Sequence, residues 1–356
     1  MLSKSKEKLL LKILSFSSPS SFEHELRDFF IDYFEGRATV GKDVLGNAAA
    51  VVRGRVSGSK VLLTAHSDEI GFIITGVDTN GFLLLRTIGG IEPQEISSSP
   101  IVVLAEGGPV RGVICRPEAF EEEDLTGSIY ADIGAKSRKV ALSLVSVGDG
   151  VVWDTHPARL IGDTFFSRGV DDKIGVYVVT RVLDELIRKY KSKEAPSSVF
   201  GILSPMEEIG DFNSIREAAN KIGPGAGIVL DVEESTDYPG APNYWCDGCG
   251  ESIINVGAGP VIDVGVTSNK KLSNFILKVA AELNISVQKV VSAEETSTTM
   301  DRLRFGASGV PCVGVYIPIR YMHTPLSIFS ADDVEKTVKL LVNVCEEIDS
   351  VESFIP

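Results

Sequence analysis

Apolar and polar positions alternate along this chain with two different periods, and the switch between them outlines its organisation. In MLSKSKEKLLLKILSF, Leu9, Ile13 and Phe16 recur at helical spacing among lysines, which predicts an amphipathic opening helix. Ser20-Ser21-Phe22-Glu23 has capping-box spacing, and Phe22, Leu26, Phe29, Phe30 and Tyr33 supply an apolar face behind it. VLGNAAAVVRG and SKVLLTAH then read as short strands separated by a glycine-bearing turn. From residue 73 to 162 helical periodicity is absent. Short runs such as FIITGV, GFLLLRTI, PIVVLAE and GPVRGVIC are broken by Asn80-Gly81, Gly89-Gly90 and Gly107-Gly108, a texture that predicts a small barrel or sandwich.

Behind that insert the alternation of helices and strands resumes. DDKIGVYVVTRVLDELIRKY, NSIREAANKI, KKLSNFILKVAAELNI and ADDVEKTVKLLVNVCEEI carry helical patterns, the last capped by Ser330 and Asp333. SSVFGILS, GAGIVLDV and VPCVGVYIP read as strands between them. The expected fold is therefore a discontinuous α/β domain, residues 1–72 and 163–356, with an all-β domain, residues 73–162, inserted into it. No internal repeat or low-complexity tract interrupts the pattern.

Composition narrows the class further. The 356 residues, 44% apolar and 24% charged, are ordinary for a globular protein and enough for more than one domain. With 35 basic against 49 acidic residues, the formal charge of −14 opposes binding to nucleic acid or anionic lipid. Lys8 and Lys12 interrupt the N-terminal apolar stretch and no small-residue cleavage site follows, so it is no signal peptide; nor does any run approach the ~20 apolar residues of a membrane span. A cytoplasmic enzyme is expected. Five cysteines form no disulfide framework, and Cys246-Asp-Gly-Cys249 lacks the second pair of a zinc ribbon.

The candidate chemistry sits where predicted strands end. VLLTAH ends at His66, with Asp68 two residues on; SSVFGILSPMEE delivers Glu207 and Glu208; GIVLDVEE delivers Asp231; and VPCVGVYIP leads to His323. Asp171-Asp172 opens the long helix after the insert. In open α/β sheets ligands bind outside the carboxyl ends of the strands, so these groups are expected to share one crevice. Two imidazoles with several carboxylates suit zinc, cobalt or manganese, and the excess of carboxylates lets one bridge two ions.

Taken singly, each residue has a plainer reading. A strand-end histidine such as His66 satisfies a backbone carbonyl, and acidic pairs at helix starts, such as Glu207-Glu208, Asp171-Asp172 and Asp332-Asp333, favour the helix dipole. For Asp332-Asp333 that reading is adopted. His24 and His156 are expected to be structural or solvated.

The combination is more specific. AHSDEIGF, VDDKIG, MEEIG, LDVEESTDYPG, GAGPVI and IRYMHTP, in that order, resemble the motifs of the tetrahedral, or TET-type, aminopeptidases, dinuclear metallopeptidases also labelled glutamyl aminopeptidase, deblocking aminopeptidase or cellulase. The resemblance spans nearly the whole chain, including DVLGN and GFLLLRTIGG. It implies a mixed-sheet domain with helices on both faces, and a barrel or PDZ-like insert that serves oligomerisation. It also implies that Asp171 bridges two divalent ions, one completed by His66 and Asp231 and the other by Glu208 and His323. Glu207 would be the general base, Asp68 would orient His66, Glu69 would face elsewhere, and the Asp171-Asp172 peptide would have unusual geometry. The implied substrates are peptides with a free N-terminus, the implied ions zinc or cobalt with manganese compatible, and the implied assembly a homo-oligomer, typically a tetrahedral dodecamer.

Departures from that pattern concern specificity. Met206 stands where a glutamine is usual, Ser67 where a methionine is common, and Thr298 and Thr299 replace a substrate-contacting Thr-Asp pair within ETSTTMDRLRF. Rival readings are a glycosidase, which needs two carboxyl groups roughly 5–10 Å apart and leaves the histidines unexplained, an N-acyl-amino-acid deacylase on the same scaffold, and a noncatalytic assembly protein.

Overall fold

The computed structural model describes residues 2–55, 57–91, 98–115, 129–241, 253–307, 309–348 and 354–355; Cys246 and Cys249 lie outside them. Its strands are β1 (Thr39–Lys42), β2 (Ala48–Val52), β3 (Lys60–His66), β4 (Gly71–Val77), β5 (Leu83–Ile88), β6 (Pro100–Val103), β7 (Val110–Ile114), β8 (Ile129–Asp132), β9 (Gly150–Trp153), β10 (Ala158–Arg159), β11 (Thr164–Ser167), β12 (Ser198–Ser204), β13 (Ala226–Glu234), β14 (Val261–Asp263), β15 (Gln288–Val290), β16 (Cys312–Arg320) and β17 (Ser327–Ser330). The helices are α1 (Lys4–Leu14), α2 (His24–Phe34), α3 (Arg138–Ala141), α4 (Val170–Lys189), α5 (Asn213–Ile222), α6 (Lys270–Glu282), α7 (Met300–Leu303) and α8 (Ala331–Glu347).

An 11-stranded mixed sheet carries the order β1-β2-β12-β3-β13-β16-β17-β11-β10, with β14 and β15 branching from β16. Its centre, β12, β3, β13 and β16, is parallel, and these strands are apolar along most of their length because helices cover both faces. On one face α1, α2, α4, α6 and α8 pack around Tyr177, Leu183, Ile276 and Leu341; on the other α5 and α7 pack Ile215 and Met300 against Leu62 and Val229. Gly201 is needed for this contact: a Cβ there would meet Val179 and Leu183 of α4.

Between β3 and β11 the chain forms a closed barrel, β4-β5-β8-β7-β6-β9, with its own core of Phe72, Leu85, Ile101, Val151 and Trp153. Asn80-Gly81 makes the expected turn, held by Asp78 Oδ1, which accepts the N–H groups of Asn80, Gly81 and Phe82. Helical structure is not wholly missing here, since α3 adds one turn, capped by Ser137. That turn is too short to show a period.

The capping box expected at Ser20 does not form. Helix α2 starts at His24 with Glu23 at its N-cap position and no side-chain cap, because the Ser20 hydroxyl donates instead to Asp68 Oδ2 at 2.7 Å. Glu23 accepts the N–H of Ser21 at 3.0 Å and also that of Met206 at 3.2 Å. For α8, Ser330 caps as expected by accepting from Asp332 N–H at 3.2 Å, but Asp333 is more than a helix-start acid. Fully buried, its carboxylate accepts the N–H groups of Gly257 at 2.6 Å and Gly259 at 2.8 Å, and burial pushes its pKa up to about 6.

Candidate active site

Parallel pairing brings the carboxyl ends of the central strands to one edge of the sheet. Ser204 of β12 pairs with His66 of β3, and Val229 of β13 with Thr64, so Asp231 comes level with His66. Pairing of β13 with β16 then carries the chain beyond Arg320 to His323, which has φ of 59°. Glu207 and Glu208 sit on a single 3₁₀ turn after β12, entered through Met206 in the left-handed region. Asp171 and Asp172 open α4, joined by a cis peptide bond.

Asp171 lies between the two imidazoles. Its Oδ1 is 2.9 Å from His66 Nε2 and its Oδ2 is 3.4 Å from His323 Nε2. His66 Nε2 is also 3.8 Å from Asp231 Oδ1 and 4.0 Å from Glu207 Oε2, while His323 Nε2 is 3.5 Å from Glu208 Oε2. The donor atoms of His66, Asp171 and Glu208 all lie within 4.8 Å of one another, as do those of His66, Asp172 and Asp231. Asp172 thus lies in the cluster; the sequence places the Asp171-Asp172 pair in the common crevice but assigns Asp172 no ligand role.

Asp68 supports the cluster from behind. The other imidazole nitrogen, Nδ1 of His66, is 3.1 Å from the Asp68 backbone oxygen and 3.4 Å from its Oδ1. The same carboxylate accepts the N–H groups of Glu207 and Glu208, each at 3.0 Å. Glu69 lies apart, buried in an ion cluster with Arg168 at 2.9 Å and Lys173 at 2.6 Å, and it accepts the Ser18 N–H. His24 and His156 are exposed and remote from these groups.

Electrostatics show how much negative charge is crowded together. Burial, reinforced by neighbouring carboxylates, pushes Glu207 up to about 9 and raises Glu208, Asp172 and Asp231. Burial would lower His66, yet the Glu207 charge and hydrogen bonds to Asp171, Asp231 and Asp68 hold it well above its usual value. Buried Glu208 Oε1 and Asp172 Oδ2 have no hydrogen-bond partner. Unpaired buried carboxylates are costly, and nitrogen and oxygen donors at this spacing fit divalent cations. The residues present therefore suit a metal centre.

The barrel forms part of the wall. A Cβ on Gly90 would lie 3.1 Å from His323 Nδ1, and one on Gly89 3.3 Å from Glu208 Oε2. Opposite, Thr296, Ser297 and Thr298 line the cleft, in a loop organised by Asp301, which accepts the N–H groups of Thr296 and Ser297. Thr299 is buried instead. Sequence reasoning marked this loop without seeing that Asp301 shapes it; its spacing from Ser297 matches a side-chain-to-backbone turn.

Comparison with known proteins places this arrangement among peptidases. The family described as M42 glutamyl aminopeptidase matches residues 46–340. A lysyl aminopeptidase of Pyrococcus furiosus is 31% identical over 352 residues, covering 96% of each chain. A TET aminopeptidase from a marine sediment archaeon of the Thaumarchaeota superposes with a TM-score of 0.88 at 26% identity, over 99% of this chain and 100% of that one. The TET1 peptidase of Pyrococcus horikoshii, described as able to assemble into a tetrahedron or a large octahedral shell, gives 0.80 at 25% identity over 96% and 99%.

Proposed function

This chain belongs to the M42 glutamyl aminopeptidase family, and from that premise we propose that it removes N-terminal residues from peptides by metal-dependent hydrolysis with Glu207 as general base. The observation that carries the reading is Asp171, whose two carboxylate oxygens face one imidazole nitrogen each, as those of a ligand shared by two ions would. His66 and Asp231 would complete one ion, Glu208 and His323 the other. When bound, two divalent ions supply Lewis acidity and a water that is ionised near neutral pH.

The chain's own groups do the remaining work. Glu207 lines the cleft, 4.0 Å from His66 Nε2; its carboxylate would take a proton from the attacking water and deliver it to the leaving amine. Asp68 fixes the His66 ring and, through two backbone N–H groups, the turn that presents Glu207 and Glu208. A free α-amine distinguishes the substrate. Names among the relatives give no side-chain preference, since one is called lysyl and the family glutamyl.

Zinc or cobalt is the proposed metal pair, with manganese compatible with the same donors. The barrel is proposed as an assembly domain because it exposes Val113, Val140, Leu142, Leu144 and Val147, apolar surface suited to burial against another subunit. The solved TET relatives make a tetrahedral dodecamer the proposed form. Among the described residues no helix is long and apolar enough to cross a membrane; the cytoplasm is the proposed location.

The test is hydrolysis of aminoacyl-p-nitroanilides and their N-acetylated twins by chelator-stripped protein reconstituted with zinc, cobalt or manganese. Metal-dependent cleavage of the free-amine members alone is expected. Turnover of only the acetylated members, or of a cellulosic polymer instead, would overturn the proposal.

A further inference from the structure

The cleft at the sheet edge, of about 590 Å³, is lined by six carboxylates and by no lysine or arginine among the described residues. Four of the six, Asp171, Glu207, Glu208 and Asp231, belong to the metal and base cluster. Glu234 is engaged elsewhere: its two oxygens accept the backbone N–H groups of Tyr321 at 3.1 Å and Met322 at 2.8 Å. Glu233 remains. Among the described residues no side chain or backbone group hydrogen-bonds or ion-pairs with it.

A further feature points to a ligand in this part of the cleft. Tyr316 is only 3% exposed and lines the same cleft; its hydroxyl lies beside Thr298 yet makes no well-formed hydrogen bond. Neither Tyr316 nor Glu233 is part of the metal cluster.

Strand geometry sets the distance. Asp231 and Glu233 point to the same face of β13, and two residues of strand span about 6.5 Å. A peptide held by its amine and first carbonyl at the Asp231 end would bring the tip of a long first side chain to Glu233. The four-carbon stem of lysine suits that span, and so does arginine. Phe212 and Met322 offer apolar lining to the stem.

We infer that Glu233 reads the first side chain of the substrate and selects lysine or arginine, an inference that rests on the aminopeptidase reading of the same cleft. A cationic tip pairs with Glu233, the cleft carboxylate that lies outside the metal and base cluster and has no partner among the described residues, whereas an acidic first residue meets like charge and a neutral one leaves Glu233 unpaired.

The experiment measures kcat and KM for lysyl-, arginyl-, leucyl- and glutamyl-p-nitroanilide with the metal-loaded protein and with Glu233→Gln, alongside N-acetyl-lysyl-p-nitroanilide. The unmodified protein is expected to favour lysyl and arginyl over leucyl substrate in kcat/KM. In Glu233→Gln that ratio should fall by about tenfold or more, chiefly through KM. Equal loss on lysyl and leucyl substrates, or an unmodified protein that favours leucyl or glutamyl substrate, would overturn the role of Glu233 while leaving the aminopeptidase intact. The ratio in the unmodified protein decides the matter alone if the variant fails to fold. Turnover of no free-amine substrate would remove the aminopeptidase reading and this inference with it.

Discussion

The carboxylate of Asp68 accepts the backbone N–H of Glu207 at 3.0 Å, a bond across 139 residues that ties the end of β3 to the turn carrying the proposed base. Its other oxygen serves Glu208 and the Ser20 hydroxyl. In Asp68→Asn an amide NH₂ would face one of these N–H donors and the turn would shift. Activity should fall by roughly ten- to a hundredfold while both metal equivalents remain, measured by steady-state kinetics and elemental analysis. Ser20→Ala, which removes one donor and leaves the carboxylate, should lose less.

Glu207 and Asp171 should separate by metal content. Glu207→Gln is expected to lower kcat by about 10²–10⁴-fold with metal retained. Asp171→Asn should lose metal together with activity. Mass spectrometric metal analysis of the two purified variants decides; a metal-poor Glu207→Gln would make Glu207 a ligand.

Metal removal should leave a site that contributes less to stability as pH rises, while Lys173, lowered to about 7 by burial, acts in the opposite sense. Glu207 titrates at about 9 and Glu208 and Asp231 are raised, so the folded state keeps protons that the unfolded chain releases near its ordinary carboxyl pKa. His66, also raised, acts in the same sense. The stabilisation is complete below about pH 4 and is lost as pH rises through the folded values toward about 9. Melting temperatures of the chelated protein should therefore fall from pH 6 to pH 9. Zinc or cobalt at a hundredfold excess over Kd should restore about 2.7 kcal/mol and flatten the slope.

Gly90→Ala tests the wall supplied by the barrel. The added methyl would lie 3.1 Å from His323 Nδ1, so the ring must give way by a few tenths of an ångström. Roughly ten- to a hundredfold lower activity is expected with an unchanged melting temperature for the metal-free protein. Equal activity would show that the ring has room.

Leu144→Asp, at an exposed apolar position of the barrel, should shift the proposed assembly toward smaller species in light scattering without unfolding the chain. An unchanged mass would place the contact elsewhere.

Local chemistry decided how far the sequence could be read. His66, Glu207, Asp231 and His323 each follow an apolar run that could hardly be anything but a buried strand, so their common edge was legible. Bonds between distant segments were not. Ser20 has the spacing of a helix cap, and only the approach of Asp68 diverts its hydroxyl. Asp333 reads as a helix-start acid until Gly257 and Gly259 are seen at its oxygens. Glu69 stands next to Asp68 in sequence, but the pleat and the cations of Arg168 and Lys173 take it to a different pocket.

The points at which the barrel joins the sheet have a mechanical meaning. The chain leaves β3 through His66, Asp68 and Glu69 to enter the barrel at Gly71, and soon after coming back through β10 and β11 it reaches Asp171. Both tethers of the insert are therefore stretches of the active site, and Gly89 and Gly90 touch it from a third point. A subunit docked on the barrel would therefore bear on segments that run directly into His66 and abut His323. The same covalent path that would carry assembly contacts thus carries the proposed metal ligands.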